Sequence, residues 1–228
     1  MYILQFGPPR SGTTMVSQTL RVIFNECIDL VIFKDYPRPP KIIAQKTHTF
    51  ERLKGDGSPP ISIVGAYRDF RDAMVSKWRA NLSRANKYSS DALNRQMTET
   101  EIYRFFSVIE SVQEANMMRQ CYPKMLWLKY EKFYQDIDYL IDKLCFFYKI
   151  EVSSELREIV NNSVNIDINR KRAAKMNTFS EFDNISGIHG HHIFKGKVGG
   201  WKDCVPVNFH ELVNNFFKDS LISWGYDI

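Results

Sequence analysis

The sequence predicts an α/β protein in which a parallel sheet is flanked by helices. Short apolar stretches of strand length alternate with longer segments in which apolar residues recur every three or four positions. Such alternation is typical of parallel strands joined by helical crossovers. The first apolar stretch, Tyr2 to Phe6, also runs into a turn with two glycines and then into a helical pattern that begins near Thr13. A strand, a crossover loop and a helix in this order form the repeating unit of a parallel sheet.

The predicted strands are short and are bounded by glycine, proline or polar residues. The stretch 61–66 lacks a clean alternation of apolar and polar residues, which indicates a strand buried on both faces. After Lys41, the stretch 41–48 carries its polar residues at its C-terminal end, where open α/β sheets place their functional groups. The predicted strands are 2–6, 28–33, 41–48, 61–66 and 125–128.

Helices are predicted where apolar residues fall on one stripe of a helical pattern. Asp69 precedes such a pattern, and because aspartate caps helix N-termini, a helix is predicted from there to about Trp78. Residues 80–98 are polar and poorly patterned and are predicted to form a loop near the substrate. The other predicted helices are 13–26, 99–119, 137–148, 153–162 and 206–222, and the last is predicted to bury Phe209, Leu212, Val213, Phe216 and Phe217.

Length, charge and cysteine pattern limit the classes of function. A chain of 228 residues with 44% hydrophobic residues suffices for one substantial domain, and we expect a single domain over 1–228. The net charge of +5 suits an anionic ligand, but the basic residues form no aromatic-interleaved patch, so no nucleic-acid partner is predicted. No signal peptide and no membrane span are expected. The four cysteines form no C-x-x-C pair, which favours reduced thiols and a cytoplasmic location and leaves the oligomeric state open.

The loop after the first strand has the composition of a phosphate-binding site. Residues 7–14 match the glycines and the final hydroxyl of the template G-x-x-x-x-G-K-[ST], but Thr13 replaces its lysine. Glycines allow the backbone to approach an anion, and the N-terminus of the following helix adds partial positive charge. Arg10 places a cation inside the loop instead. The loop therefore predicts a phosphate-like ligand that is not simply ATP.

Four segments in one order give the chain a resemblance to a known family. Pro9-Arg-Ser-Gly-Thr-Thr14 resembles the 5′-phosphosulfate loop P-K-S-G-T-T of sulfotransferases that use 3′-phosphoadenosine 5′-phosphosulfate (PAPS). Tyr67-Arg68 through Ser76 resembles the 3′-phosphate motif of that family. Leu128-Lys-Tyr-Glu131 is similar to its internal Y-E segment, and Phe194 to Lys202 resembles its late signature R-K-G-x-x-G-D-W-K.

This resemblance implies a P-loop NTPase-like sulfotransferase architecture, with PAPS as co-substrate and the bisphosphate PAP as product. A nucleotide with phosphates at both ends needs two anion sites, and arginine is suited to bind such groups. Phe194 removes a cation from the late signature, and either Lys197 or the basic cluster at 170–175 is a candidate to replace it. The residues predicted to bind the nucleotide are Arg10, Ser11, Gly12, Thr13, Thr14, Arg68, Ser76, Lys195, Gly196 and Lys197.

The segment Lys46-Thr-His48 is the predicted catalytic segment. Residues two apart on a strand point to the same face, so Lys46 and His48 are expected to act together. The resemblance to the K-T-H segment of the family implies that His48 is the general base and that Lys46 lies beside the sulfuryl group. Arg10 and Lys46 are expected to stabilise charge on the bridging oxygen. The predicted reaction is in-line sulfuryl transfer to a hydroxyl or amine of a small-molecule or glycan acceptor.

No metal is predicted, and two alternatives remain open. Tyr67-Arg68 follows the strand at 61–66 where a Walker-type acidic residue would bind Mg²⁺, so the sequence does not favour a metal-dependent phosphoryl transfer. A small-molecule P-loop kinase is therefore the alternative enzyme. Met15, Phe194 and Gly200 depart from the family pattern, where Trp, Arg and Asp stand, so a non-catalytic nucleotide-binding protein is the alternative of another class.

Overall fold

The computed structural model describes residues 2–24, 27–29, 42–48, 62–84, 94–176, 178, 180–183, 188–190, 193 and 196–228. Within them, the central sheet has five parallel strands in the order β2-β3-β1-β4-β5. These are β1 (Tyr2–Phe6), β2 (Cys27–Asp29), β3 (Ile42–Thr47), β4 (Ser62–Tyr67) and β5 (Leu126–Lys129). The prediction of a parallel sheet flanked by helices is confirmed.

Helices follow the strands as crossovers and as outer layers. They are α1 (Thr13–Ile23), α2 (Phe70–Arg84), α3 (Glu99–Phe105), α4 (Val108–Cys121), α5 (Tyr130–Phe133), α6 (Ile137–Tyr148), α7 (Ser154–Val164), α8 (Ile166–Ala174), α9 (Trp201–Cys204) and α10 (His210–Ser223). A short antiparallel pair, β6 (Phe182–Asp183) and β7 (Ile188–His189), and a 3₁₀ turn at Val207–Phe209 complete the described elements. Residues 30–33 of the predicted second strand lie outside the described residues.

The sheet has an apolar core on each face. Alternate side chains of a strand point to opposite faces, and accordingly Leu4 and Phe6 pack with α2, α4 and α10, whereas Ile3 packs with α1, α5 and α6. Val64 and Ala66 of β4 are fully buried on the same face as Ile3. Burial on both faces explains why the apolar stretch of β4 lacks alternation.

Two predicted boundaries are wrong. The predicted loop 80–98 begins as helix, because α2 continues to Arg84 and buries Ala80 and Ser83; residues 85–93 lie outside the described residues. The predicted single helix 99–119 is two helices, α3 and α4. The C-terminal cap of the first of these helices is Phe106, whose N–H donates to the carbonyl oxygens of both Ile102 and Tyr103. The periodicity of apolar residues in the sequence does not show this interruption.

The last helix buries fewer of its phenylalanines than predicted. Val213 and Phe217 of α10 are fully buried, but Phe216 is 40% exposed. Phe216 instead stacks on Phe106, with 3.8 Å between the ring centroids. A phenylalanine that packs on a neighbouring ring at the surface fits the helical pattern as well as a core residue does, so the pattern alone does not separate the two.

A buried glutamine in the central strand predicts a stabilising substitution. Gln5 is 1% exposed, and within the described residues neither its Nε2 nor its Oε1 has a hydrogen-bond partner. Because an unpaired buried amide is costly, we expect Gln5→Met to raise the free energy of unfolding by about 1–2 kcal/mol. Chemical denaturation of the two proteins measures the difference.

The matched control is Gln18, a second buried glutamine, on α1. Its Oε1 accepts a hydrogen bond from Nδ2 of Asn169 at 3.3 Å. Gln18→Met should lower the free energy of unfolding, because it leaves the Asn169 amide without that acceptor. Equal effects of the two substitutions would contradict the assignment of the cost at Gln5 to its unpaired amide.

Candidate active site

Three neighbouring strands bring the predicted functional segments to one edge of the sheet. Phe6, at the end of β1, pairs with Thr47 of β3 on one side and with Gly65 of β4 on the other. His48 therefore follows β3, the 7–14 loop follows β1, and Arg68 follows β4 at the same edge. Carboxyl ends of parallel strands are where open α/β sheets bind ligands.

The 7–14 loop is shaped by its second glycine and by a buried serine. Gly12 has φ +86°, and a Cβ there would lie 2.5 Å from Cδ2 of Tyr130, so only glycine fits. Ser11 is fully buried, and its Oγ lies within hydrogen-bond distance of the carbonyl oxygens of Pro8 (2.7 Å) and Ala66 (2.9 Å). Within the described residues no side chain caps α1 at Gly12. The first amides of α1 are thus suited to an anion.

Arg10 connects this loop to the second predicted phosphate motif. Its backbone is left-handed, with φ +71°, an uncommon conformation for a residue other than glycine. Its Nε donates a hydrogen bond to Oγ of Ser76 on α2 at 2.9 Å. Burial, together with the positive charges of Arg68 and Arg84, lowers the pKa of Arg10 to about 10. A half-buried arginine near two further arginines indicates a site for an anion.

Arg68 is buried and held in place from several sides. It is 7% exposed, and its guanidinium carbon lies 4.6 Å from the centre of the Tyr130 ring. Its Nη2 donates to the carbonyl oxygen of Lys197 at 2.8 Å and lies 3.4 Å from Oδ2 of Asp72. Its Nε is buried and has no hydrogen-bond partner within the described residues. A buried N–H of this kind is ready to bind an anionic ligand.

His48 is oriented by the backbone of the 7–14 loop. Its Nδ1 lies 2.7 Å from the carbonyl oxygen of Gly7. Because a carbonyl oxygen only accepts hydrogen bonds, Nδ1 carries the proton and the lone pair of the neutral ring is on Nε2. This tautomer is the one that a general base at the sheet edge requires.

The structure brings together most, but not all, of the predicted site residues. The loop and the start of α1 contain Ser11, Gly12, Thr13 and Thr14. The same edge of the sheet also holds Arg10, Ser76, Arg68 and His48. The backbone of Lys46 pairs with Gln5, but its side chain lies outside what the structure describes, and so does Lys195.

The late glycine-rich segment meets the site mainly through its backbone. The carbonyl oxygen of Gly196 accepts a hydrogen bond from the Tyr130 hydroxyl at 3.2 Å. Lys197 is exposed, and its Nζ lies 3.0 Å from Oδ2 of Asp203, so its carbonyl oxygen and not its ammonium group contacts Arg68. Met15 is buried in the core beside Val16.

Sequence reasoning missed Arg84 and Asp72 as residues of this site, and it matched Tyr130 to the Y-E segment without giving it a role in the site. Arg84, at the end of α2, adds positive charge near Arg10, and the ring of Tyr130 lies against Arg68. Asp72 accepts hydrogen bonds from the backbone N–H groups of Gly199 and Trp201. One signal was available for Asp72: it stands four residues after Arg68 on the following helix, a spacing at which opposite charges meet.

No group of three or more His, Cys, Asp or Glu among the described residues is arranged to hold a metal ion. None of the described helices combines the length and the apolarity that a membrane crossing requires.

Comparisons with solved structures agree on the fold. The whole chain superposes on retinol dehydratase in complex with androsterone and the inactive cofactor PAP, with a TM-score of 0.69, 19% identity and 82% of that chain covered. For the mouse sulfotransferase SULT7A1 complexed with PAP the TM-score is 0.66 at 17% identity, over 96% of this chain and 83% of the other. At these identities the similarity shows a common fold.

Comparisons of sequence identify the family. Cytosolic sulfotransferase 1 of Danio rerio is 28% identical over 103 residues, which are 45% of this chain and 34% of that protein. The chain thus matches about a third of the length of this curated relative. The family model described as the sulfotransferase domain matches residues 33–225. Because that match covers most of the chain, and the fold and the order of its site segments agree with it, this chain belongs to the sulfotransferase domain family.

Proposed function

We propose that the protein transfers a sulfuryl group from PAPS to a hydroxyl or amine of a small-molecule or glycan acceptor. The observation that carries this proposal is the linked pair of anion sites: Arg10 in the 7–14 loop donates to Ser76 of the second motif. A nucleotide with phosphates at its 5′ end alone needs one anion site, whereas a nucleotide with phosphates at both its 3′ and 5′ ends needs two. PAPS, when bound, supplies the activated sulfuryl group.

The residues of the site fit such a doubly charged nucleotide. Burial and the positive charges of Arg68 and Arg84 lower the pKa of Arg10, and an anion would relieve the repulsion among the three arginines. Arg68 also offers a buried Nε that lacks a hydrogen-bond partner within the described residues. In this proposal the 5′ end of the nucleotide binds to Arg10, Ser11, Gly12, Thr13 and Thr14. Arg68 and Ser76 bind the 3′ phosphate together with Lys195, Gly196 and Lys197, although the ammonium group of Lys197 pairs with Asp203 here.

His48 is the proposed general base. With its proton on Nδ1 held by the Gly7 carbonyl oxygen, Nε2 takes the proton from the acceptor as the acceptor oxygen or nitrogen bonds to sulfur. The bond between sulfur and the bridging oxygen breaks in line with this attack. Arg10 and Lys46 are proposed to stabilise the negative charge that then forms on the phosphate. No metal ion is part of the proposal.

The comparisons support the proposed class of acceptor, the proposed location and the proposed single domain. Androsterone and retinol are the small molecules named with retinol dehydratase, which supports a small-molecule acceptor. The name of the Danio rerio relative supports a cytoplasmic location. The superposition over the whole chain supports one sulfotransferase-like domain over residues 1–228. Family membership disfavours the kinase alternative.

Calorimetry with PAP, followed by mass spectrometry of candidate acceptors incubated with PAPS, tests this function. We expect saturable binding of PAP without Mg²⁺ and a gain of one sulfate on an acceptor. Failure to bind PAP would refute the proposal. Binding of PAP without sulfate transfer across hydroxyl and amine acceptors would favour a non-catalytic nucleotide-binding protein, and turnover that requires Mg²⁺ and ATP would favour the kinase.

A further inference from the structure

The late segment 196–201 is held against the sheet edge by side chains far from it in sequence. Asp72 of α2 accepts hydrogen bonds through Oδ2 from the Gly199 N–H at 2.8 Å and through Oδ1 from the Trp201 N–H at 2.9 Å. Arg68 donates to the Lys197 carbonyl oxygen at 2.8 Å. The segment is therefore tied to α2 by its backbone, and α2 and the segment are held in a fixed relative position.

Asp72 also touches the arginine proposed to bind the 3′ phosphate. Its Oδ2 lies 3.4 Å from Nη2 of Arg68, and the Asp72 side chain is 2% exposed. One buried carboxylate thus contacts the segment through two amides and Arg68 through an ion pair. Burial, with the nearby charge of Asp69, raises the pKa of Asp72 above its ordinary value, and the contacts with Arg68 and the two backbone N–H groups oppose that rise.

This arrangement leaves a specific part of Arg68 for a ligand. Nη2 is engaged by Lys197 and Asp72, and Tyr130 covers the guanidinium face. The buried Nε has no hydrogen-bond partner within the described residues. Fixing Nη2 aims the rest of the planar guanidinium fork, and a fork held in advance loses less entropy when it binds phosphate.

We propose that Asp72 is a positioning residue that sets the preference of the protein for a nucleotide carrying a 3′ phosphate. It acts by holding Arg68 and the segment 196–201 in one arrangement. This inference rests on the proposed function, because it assigns the 3′ phosphate to Arg68. Asp72 itself does not touch the nucleotide in this proposal but acts through Arg68.

The test compares two nucleotides that differ only in the 3′ phosphate, PAP and adenosine 5′-phosphate (AMP). Calorimetry gives the dissociation constant of each for the unmodified protein and for Asp72→Asn. Because the amide NH₂ of asparagine faces one of the two N–H donors and carries no charge, we expect the preference for PAP over AMP to fall about tenfold, the size of one charge-assisted hydrogen bond. AMP affinity should change little.

Asp69→Asn is the matched control. Asp69 is also a buried carboxylate, and its Oδ2 lies 2.6 Å from Nη2 of Arg71, on the side of Asn214 and the C-terminal residues. Its loss should lower thermal stability and leave the preference for PAP over AMP unchanged. If Asp72→Asn weakened PAP and AMP by the same factor, its role would be structural only and the inference would be overturned.

A measurement on the unmodified protein decides the matter if Asp72→Asn does not fold. Amide hydrogen exchange at Gly199 and Trp201 reports the two hydrogen bonds to Asp72 directly. Saturating PAP should slow exchange at both amides several-fold more than saturating AMP, and equal slowing would overturn the inference. Failure of the unmodified protein to bind PAP would refute the proposed function and this inference with it, whereas binding of PAP with an unchanged preference in Asp72→Asn, or with equal slowing of exchange by PAP and AMP, would overturn this inference alone.

Discussion

His48→Ala is expected to lower the turnover number for sulfuryl transfer by about a hundredfold to ten-thousandfold, the contribution of a positioned general base. The substitution removes the Nε2 lone pair that the Gly7 carbonyl oxygen orients by fixing the proton on Nδ1. PAP binding should persist, because the proposed nucleotide contacts come from the 7–14 loop, Arg68 and Ser76. Steady-state kinetics with PAPS and calorimetry with PAP separate the two effects.

The control for this substitution is a second histidine with a similar backbone contact. Nε2 of His210 lies 2.9 Å from the carbonyl oxygen of Val205, and its ring packs against Trp201 with 4.9 Å between the ring centroids. His210→Gln should leave the turnover number nearly unchanged, because His210 is not among the residues of the candidate active site. Unchanged turnover in His48→Ala would show that another group is the base.

The segments of the candidate active site were predictable because each directly follows a strand. Apolar stretches locate β1, β3 and β4, and topology then places the residues after them, including His48 and Arg68, at one edge. No contact had to be known for that step. The register of Phe6 with both neighbouring strands confirms that these segments are adjacent.

Asp72 shows why the rest could not be predicted. Its role depends on two backbone N–H groups 127 and 129 positions away in sequence, and backbone donors carry no signature in the residue types that present them. The same limit applies to Lys197. The sequence shows its charge near the late signature, but not that Asp203, six residues later, lies 3.0 Å from its ammonium group.

Arg10→Ala is expected to lower kcat/KM for PAPS by about a hundredfold to a thousandfold, the usual cost of removing one preorganised donor from a charge-stabilising site. The substitution removes the cation of the 7–14 loop and the donor to Ser76. A deletion alone does not show whether charge or shape is lost. Arg10→Lys, which keeps a cation at the same position, is therefore the informative partner variant.

The pH dependence of Arg10→Lys distinguishes charge from shape. Burial and the charges of Arg68 and Arg84 lower the pKa of Arg10 to about 10, so arginine stays charged throughout the neutral range. The same surroundings should lower the pKa of a lysine below its ordinary value of about 10.4. The protonated form binds the anion, so activity of Arg10→Lys should be present below its lowered pKa and lost as the pH rises through it. Because kcat/KM reports groups of the free enzyme, this ratio should fall at alkaline pH in Arg10→Lys before it falls in the unmodified protein. Parallel pH profiles of the two proteins would contradict an electrostatic role for Arg10.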